Sequence, residues 1–194
     1  MRKRQDAERI YGTALELFAR YGYKKTTLED IASALDMSNT NLYSYAKSKR
    51  ALYNDTVAWA IDQWQESVRQ AVKEVDDPKE RLLTAFKAAV SYIDGNPETQ
   101  GLLRNDPTFF PMFPTVDPIE EYNDWSMNFL RGILQDGVDR GEFKEIDVDA
   151  AATIMFNLYK YFIVSTYEAD AEAVENLTDH LDAIADLLFH GLLH

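Results

Sequence analysis

Apolar residues along the first seventy positions recur three and four apart. Ile10, Ala14, Leu17, Phe18 and Tyr21 trace one face of a helix that Gly22 closes. Leu28, Ile31, Ala32 and Leu35 trace a second, shorter helix behind Thr27-Leu28-Glu29-Asp30, a capping box with Asp in the Glu position. Ser38 opens a third helix with Leu42 and Tyr45 pointing inward. Ser48 opens a fourth, running through Leu52, Val57, Ile61, Trp64 and Val68 to about Val75. Further on, Asp77-Pro78 and Asp117-Pro118 each set a capping Asp before a proline at the first helical position. Gly95-Asn96-Pro97 and Gly141 close those two helices. Asp147 opens another to about Tyr167, and a last one covers roughly 171–190. Residues 105–118 hold four of the six prolines and three phenylalanines, so they cannot form one helix. No strand alternation appears. The pattern predicts an all-α chain.

The first three helices are short, and the second and third meet at a turn around Asp36-Met37, which is the helix-turn-helix arrangement. The predicted division is a helix-turn-helix head at 1–48 and a helical body at 49–194, with the helix 49–75 linking them.

Composition supports two jobs for these two parts. The chain of 194 residues, 46% hydrophobic, is long enough for a buried core. It has no Cys, which excludes disulfide scaffolds and thiolate chemistry and fits a reducing compartment. Met1-Arg2-Lys3-Arg4 lacks a signal-peptide core, and the most apolar run, 150–164, is shorter than a membrane span and contains Asn157 and Lys160. A soluble cytoplasmic protein with no membrane association is expected. The formal charge is -13, yet residues 1–55 carry net +3 and residues 56–194 net -16. A positive head on an acidic body points to a polyanionic partner for the head alone.

Within the head, Ser38-Asn39-Thr40-Asn41-Leu42-Tyr43-Ser44 is uncharged and rich in hydrogen-bonding groups. A helix in the major groove needs such donors and acceptors against base edges, and Asn pairs well with adenine. Lysines in the flanks meet phosphates and fix register. The candidate DNA-binding residues are therefore Lys24, Lys25, Thr27, Ser38, Asn39, Thr40, Asn41, Tyr43, Ser44, Lys47 and Lys49, with Arg2, Lys3 and Arg4 as a candidate minor-groove arm. Tyr43 and Tyr45 stand two apart and cannot share a face, so Tyr43 is assigned outward and Tyr45 to packing.

The run Thr26-Thr27-Leu28-Glu29-Asp30-Ile31-Ala32, with Met37-Ser38, Leu42-Tyr43-Ser44-Tyr45, Ser48-Lys49 and Leu52-Tyr53 at their spacings, resembles the DNA-binding head of the TetR family of transcriptional regulators over about residues 7–55. The resemblance implies a homodimeric, ligand-responsive repressor of about nine helices per subunit, bound to a double-stranded DNA operator. Three departures stand out. Asp36 replaces the usual turn Gly, Ala46 replaces the usual Phe, and Asn39-Thr40-Asn41 replaces a commoner triplet, changing which bases are read.

The body then supplies a small-molecule effector site and a dimer interface. Trp59, Tyr92, Phe109, Phe110, Phe113, Tyr122, Trp125, Phe129 and Tyr159 are the aromatic candidates for the effector pocket. Lys160 or Arg104 can meet an anionic effector group, and an acid such as Glu121 a cationic one. The helix after Asp147 is apolar on two faces, one with Ala151, Ile154, Met155, Leu158 and Phe162, the other with Ala152, Phe156, Tyr159 and Ile163. Ala151, Met155 and Phe162, with Leu181, Ile184 and Leu188 of the last helix, are the candidate homodimer contacts.

An enzyme is not expected. The three His, at 180, 190 and 194, sit near the end, and no Gly-rich phosphate loop, Gly-x-Ser-x-Gly elbow or Glu-x-x-His pair occurs. No metal site and no cofactor are called for. The competing reading is a helical adaptor that binds protein and not DNA.

Overall fold

The computed structural model describes residues 2–105 and 120–168, the side chains at 2–4, 120–122 and 164–168 excepted. The secondary structure of the described residues is helical throughout. Its eight helices are α1 (Arg2–Lys25), α2 (Leu28–Ala34), α3 (Asn39–Tyr43), α4 (Lys49–Ala71), α5 (Pro78–Asp94), α6 (Pro97–Asn105), α7 (Glu120–Asp139) and α8 (Val148–Glu168). The all-α class is observed. The proline-rich stretch and the helix expected at 171–190 lie outside the described residues. None of the described helices is long and apolar enough to cross a membrane.

The caps form much as the sequence predicts. Ser38 accepts from the Asn41 N–H at 3.2 Å, Ser48 from Ala51 at 3.1 Å, Asp77 from Glu80 at 2.8 Å and Asp147 from Ala150 at 3.0 Å. Each satisfies an N–H that the first turn of a helix leaves open. One helix, α6, has no counterpart in the sequence reading. Pro97 starts it and Glu98 sits in its first turn, while Thr99, Leu102 and Leu103 are buried.

The chain forms two compact units, Met1–Trp64 with Ile93–Pro111 and Gln65–Tyr92 with Met112–His194. The first unit thus takes in more than the 48-residue head: it includes the start of α4 and all of α6. Its core holds Ile10, Ala14 and Phe18 from α1, Ile31 and Leu35 around α2, Leu42 from α3 and Leu52 from α4, each no more than 2% exposed. Gly101 lets α6 approach α1 closely, since a Cβ there would lie 3.0 Å from both the Cβ and the carbonyl oxygen of Ala19. Four residues on, at the end of α6, Asn105 donates from Nδ2 to the same carbonyl at 2.7 Å.

The second unit is built on Leu82 of α5, Leu130, Ile133 and Leu134 of α7, Phe143 in the following turn, and Ala152, Met155 and Phe156 of α8. The Phe143 ring occupies the place where a side chain on Gly137 would stand. Arg140 then ties the end of α7 to the residues before α5, reaching Asp136 at 2.9 Å and Asp76 at 3.2 Å.

Candidate nucleic-acid interface and aromatic body

The recognition segment is positioned by the turn before it. Leu35 caps α2, and Asp36 follows with φ 54°, the left-handed region that side chains seldom adopt. The Met37 N–H donates back to the Ala32 carbonyl at 2.9 Å and the Asp36 N–H to Ser33 at 3.1 Å. That pair is the Schellman ending, with Asp in the place Gly usually fills. Arg9 of α1 adds a clamp, donating to the Leu35 carbonyl at 3.0 Å. Leu42 is 1% exposed and anchors α3 on the core.

With Leu42 inward, Asn39, Thr40, Asn41, Tyr43 and Ser44 are exposed, as is Ser38 at the cap; Tyr43 is 49% exposed while Tyr45 is half-buried. Ser38 accepts within the helix and keeps its proton for an outside acceptor. Ser44 does the reverse, donating to the Asn41 carbonyl at 2.7 Å and keeping its lone pairs. Lys24, Lys25 and Lys47, which flank this segment in sequence, are exposed as well. The result is an uncharged hydrogen-bonding surface held by the buried Leu42. Arg2, Lys3 and Arg4 have side chains outside the described residues.

Two candidate DNA contacts are otherwise engaged. Lys49 donates from Nζ to the carbonyls of Tyr23 at 2.8 Å and Thr26 at 3.0 Å, and lies 4.4 Å from the centre of the Tyr23 ring. It ties down carbonyls at the end of α1 and in the turn after it, where helical partners are lacking. Thr27 has both donors committed to Asp30: its hydroxyl at 2.6 Å and its N–H at 2.9 Å reach the Asp30 carboxylate. A phosphate there would have to displace a carboxylate. Those hydrogen bonds, the hydroxyl's first, hold the Asp30 carboxyl below the usual carboxylate range.

Of the aromatic candidates for an effector pocket, Trp59 belongs to the first unit, where its ring lies 6.4 Å from that of Tyr11 on α1. It caps the packing of α4 on α1. Tyr92, Trp125, Phe129 and Tyr159 belong to the second unit and are each partly buried. Trp125 and Phe129 stack at 5.0 Å, with the Arg69 guanidinium 4.8 Å from the Trp125 ring centre. Tyr159 meets Phe86 at 5.6 Å. Phe86, Phe156 and Arg69 therefore join the aromatic body though none is among the pocket candidates of the sequence; Phe86 and Phe156 are hidden from it because a core Phe and a ligand-lining Phe share one periodicity. Phe109, Phe110, Phe113 and the Tyr122 side chain lie outside the described residues.

The dimer candidates on α8 change. Met155 is 3% and Phe162 4% exposed, so both are already buried within the chain, and Ala151 packs on the second unit's core. Ile154 and Tyr161, seven residues and two turns apart, are 63% and 58% exposed. They form the open apolar face of α8. Leu181, Ile184 and Leu188 lie outside the described residues.

Residues 10–56 match the model of bacterial regulatory proteins of the tetR family. A transcriptional repressor, KstR2 of Mycolicibacterium smegmatis, is 27% identical over 137 residues, 70% of this chain and 67% of that protein. FadR from Bacillus subtilis, solved in complex with stearoyl-CoA, superposes with a TM-score of 0.77 at 23% identity, covering 96% of this chain and 99% of that one. A regulator from Saccharomonospora viridis, solved in complex with choline, gives 0.69 at 19%, covering 98% of each. The likeness of fold extends along the chain, and the matched span, which contains the helix-turn-helix just described, is a DNA-binding head of the tetR family of bacterial regulatory proteins.

Proposed function

We propose that this DNA-binding transcriptional regulator acts as a homodimeric repressor that leaves a palindromic operator when a small apolar or amphipathic molecule binds its second unit. The observation that carries the DNA side is α3: an exposed, uncharged run, Asn39-Thr40-Asn41, fixed by Leu42 and flanked by Lys24, Lys25 and Lys47. Base edges are read by the first group and phosphates held by the second. Lys49 and Thr27 support the geometry from within.

Two heads read two half-sites about 34–36 Å apart, one turn of DNA. The open face of α8 at Ile154 and Tyr161 is the proposed contact between copies. The aromatic body around Phe86, Trp125, Phe129 and Tyr159 is the proposed effector site. Its relatives' ligands, stearoyl-CoA and choline, differ in chemistry, so the effector class has to be read from this chain's own side chains. Helix α4 carries residues of both units, and a shift along it would spoil the spacing of the heads. Moving a 1:99 balance to 99:1 takes roughly 5.5 kcal/mol of differential affinity. Linkage then requires that operator DNA weaken effector binding by the same factor.

Selection of bound duplexes from a random pool tests the DNA side. Inverted repeats with half-sites about 10 base pairs apart are expected. Asn41→Ala should relax the preference at one position per half-site, at a cost of roughly 1–3 kcal/mol, and leave weak nonspecific binding in place. Enrichment of no sequence, with binding to protein partners that is indifferent to salt, would instead favour an adaptor.

A further inference from the structure

Leu42 and Ala46 turn inward together, at 1% and 4% exposure, and the Ala46 N–H donates to the Leu42 carbonyl at 3.2 Å, so the helical course of α3 continues past Tyr43. Ser44, its C-cap, keeps helical angles at φ -73° and ψ -16°. At about 100° per residue, Thr40 and Ser44 lie roughly opposite Leu42, on the outermost line of the segment. Both are exposed, and being four residues apart they share one face. Asn41 and Tyr43 stand to either side of that line. The Asn41 carbonyl receives two bonds from Ser44, the N–H at 3.0 Å and the hydroxyl at 2.7 Å. A carbonyl only accepts, so the hydroxyl proton is turned back along the chain and the lone pairs of the oxygen are left for an outside donor. That donation also strengthens the oxygen as an acceptor.

We propose that Ser44 is a base-reading residue that accepts from an exocyclic amine, cytosine N4 or adenine N6, and so sets the operator preference at one position of each half-site. In the major groove those two amines are the donors that base pairs present; guanine offers O6 and N7 and thymine O4, all acceptors. A phosphate oxygen only accepts as well, so binding one would require the hydroxyl to leave the Asn41 carbonyl. Asn39 and Asn41 each carry an amide that both donates and accepts. Ser44 in this state offers one polarity, and that is what separates one class of base from the other. The inference deepens the DNA reading above and rests on it: it adds a residue to Asn39-Thr40-Asn41 and names the chemical group that this residue selects.

The test compares the full chain with its Ser44→Ala variant. The Asn41 carbonyl keeps the backbone N–H of residue 44 in the variant, so its melting curve should match wild type. Duplexes selected from a random pool should be alike at all positions but one in each half-site, where wild type requires cytosine or adenine and the variant accepts all four bases. Which of the two is read then follows from an amine-deleted base at that position, 2-pyrimidinone for cytosine or unsubstituted purine for adenine. Wild type should lose about threefold to tenfold in affinity by anisotropy, the worth of one hydrogen bond, beyond any loss shown by Ser44→Ala. A variant weaker on every duplex alike, with an unchanged preference, would make Ser44 a phosphate contact and overturn the proposal. A preference for guanine or thymine that vanishes in the variant would show a donating hydroxyl and overturn it too. Unchanged preference and affinity would remove Ser44 from the interface, while the enriched operator would leave the wider DNA reading standing. If wild type enriches no sequence, that reading fails and this inference with it.

Discussion

Replacing Lys49 by Met separates a structural role from a phosphate contact. The side chain keeps its length and loses its charge and donors. In the native head the ammonium makes two hydrogen bonds, at 2.8 and 3.0 Å, and faces the Tyr23 ring at 4.4 Å. Hydrogen bonds with a charged partner contribute roughly 1.5–3 kcal/mol each, and an exposed cation–π contact about 0.5–1 kcal/mol. The residue is only half-buried, and water can take over part of both bonds, so the sum is discounted to a loss of about 2–3 kcal/mol. The Tyr23 ring also loses its cationic neighbour, though it keeps Tyr53 at 4.8 Å, and Tyr53 keeps Phe18 at 5.0 Å. Urea unfolding should show the loss as a lower midpoint at unchanged slope. Hydrogen exchange should quicken at the N–H groups around 22–31, because the end of α1 and the start of α2 are what the ammonium ties down. Operator affinity should fall, but the slope of log affinity against log salt should stay the same. A phosphate contact predicts the opposite pair of results: stability within about 0.5 kcal/mol of wild type, and a slope smaller by roughly 0.9 per lysine lost from the interface. That pair would refute the clamp.

Three other substitutions probe separate features. Asp36→Gly relieves the positive φ of the Schellman turn and removes an acid beside a polyanion, so stability should rise by roughly 1 kcal/mol and DNA binding should tighten; Asp36→Asn, which changes the charge and tolerates the turn, should give most of the binding effect, and a null result in anisotropy titrations would contradict it. Gly101→Ala places a methyl 3.0 Å from Ala19 backbone and side-chain atoms, and should cost about 1–3 kcal/mol by calorimetry, since neither helix can move away without breaking the Asn105 bond to Ala19; an unchanged melting curve would show that α6 yields freely. Ile154→Lys with Tyr161→Lys should convert the proposed dimer to monomer in sedimentation at micromolar concentration with little loss of fold, and a dimer that persists would place the contact elsewhere.

The head was legible because its signals are local. Caps at Thr27, Ser38 and Ser48 and the spacing of Ile31, Leu35 and Leu42 each fix a boundary or a face within a few residues. Helix α6 was not legible, because Gly101 stands mid-helix like a break, and only packing against Ala19 gives that glycine a purpose. The internal partners of Lys49 and Thr27 are not legible for a chemical reason: a helix-end carbonyl, a carboxylate and a phosphate all want the same donors, and sequence does not say which acceptor lies nearer. On α8 the difficulty was different. The helix is apolar nearly all round, so its pattern could not distinguish the stripe its own core covers, at Met155 and Phe162, from the one left open at Ile154 and Tyr161.

The break in α1 has a consequence for where this chain can be divided. Gly22, at φ 79° and ψ 158°, interrupts the helix, and the Tyr23 and Thr26 carbonyls that follow must find donors elsewhere. The donor that arrives is Lys49, 26 and 23 positions downstream, on the first residue of α4. Helix-turn-helix and linking helix are therefore tied to each other, although the proposed base-reading residues all lie before residue 48. A fragment ending there would carry every base-reading side chain and still lack the group that finishes its fold, along with Leu52, which is fully buried. The smallest autonomous piece of this regulator should therefore be longer than the surface proposed to touch DNA.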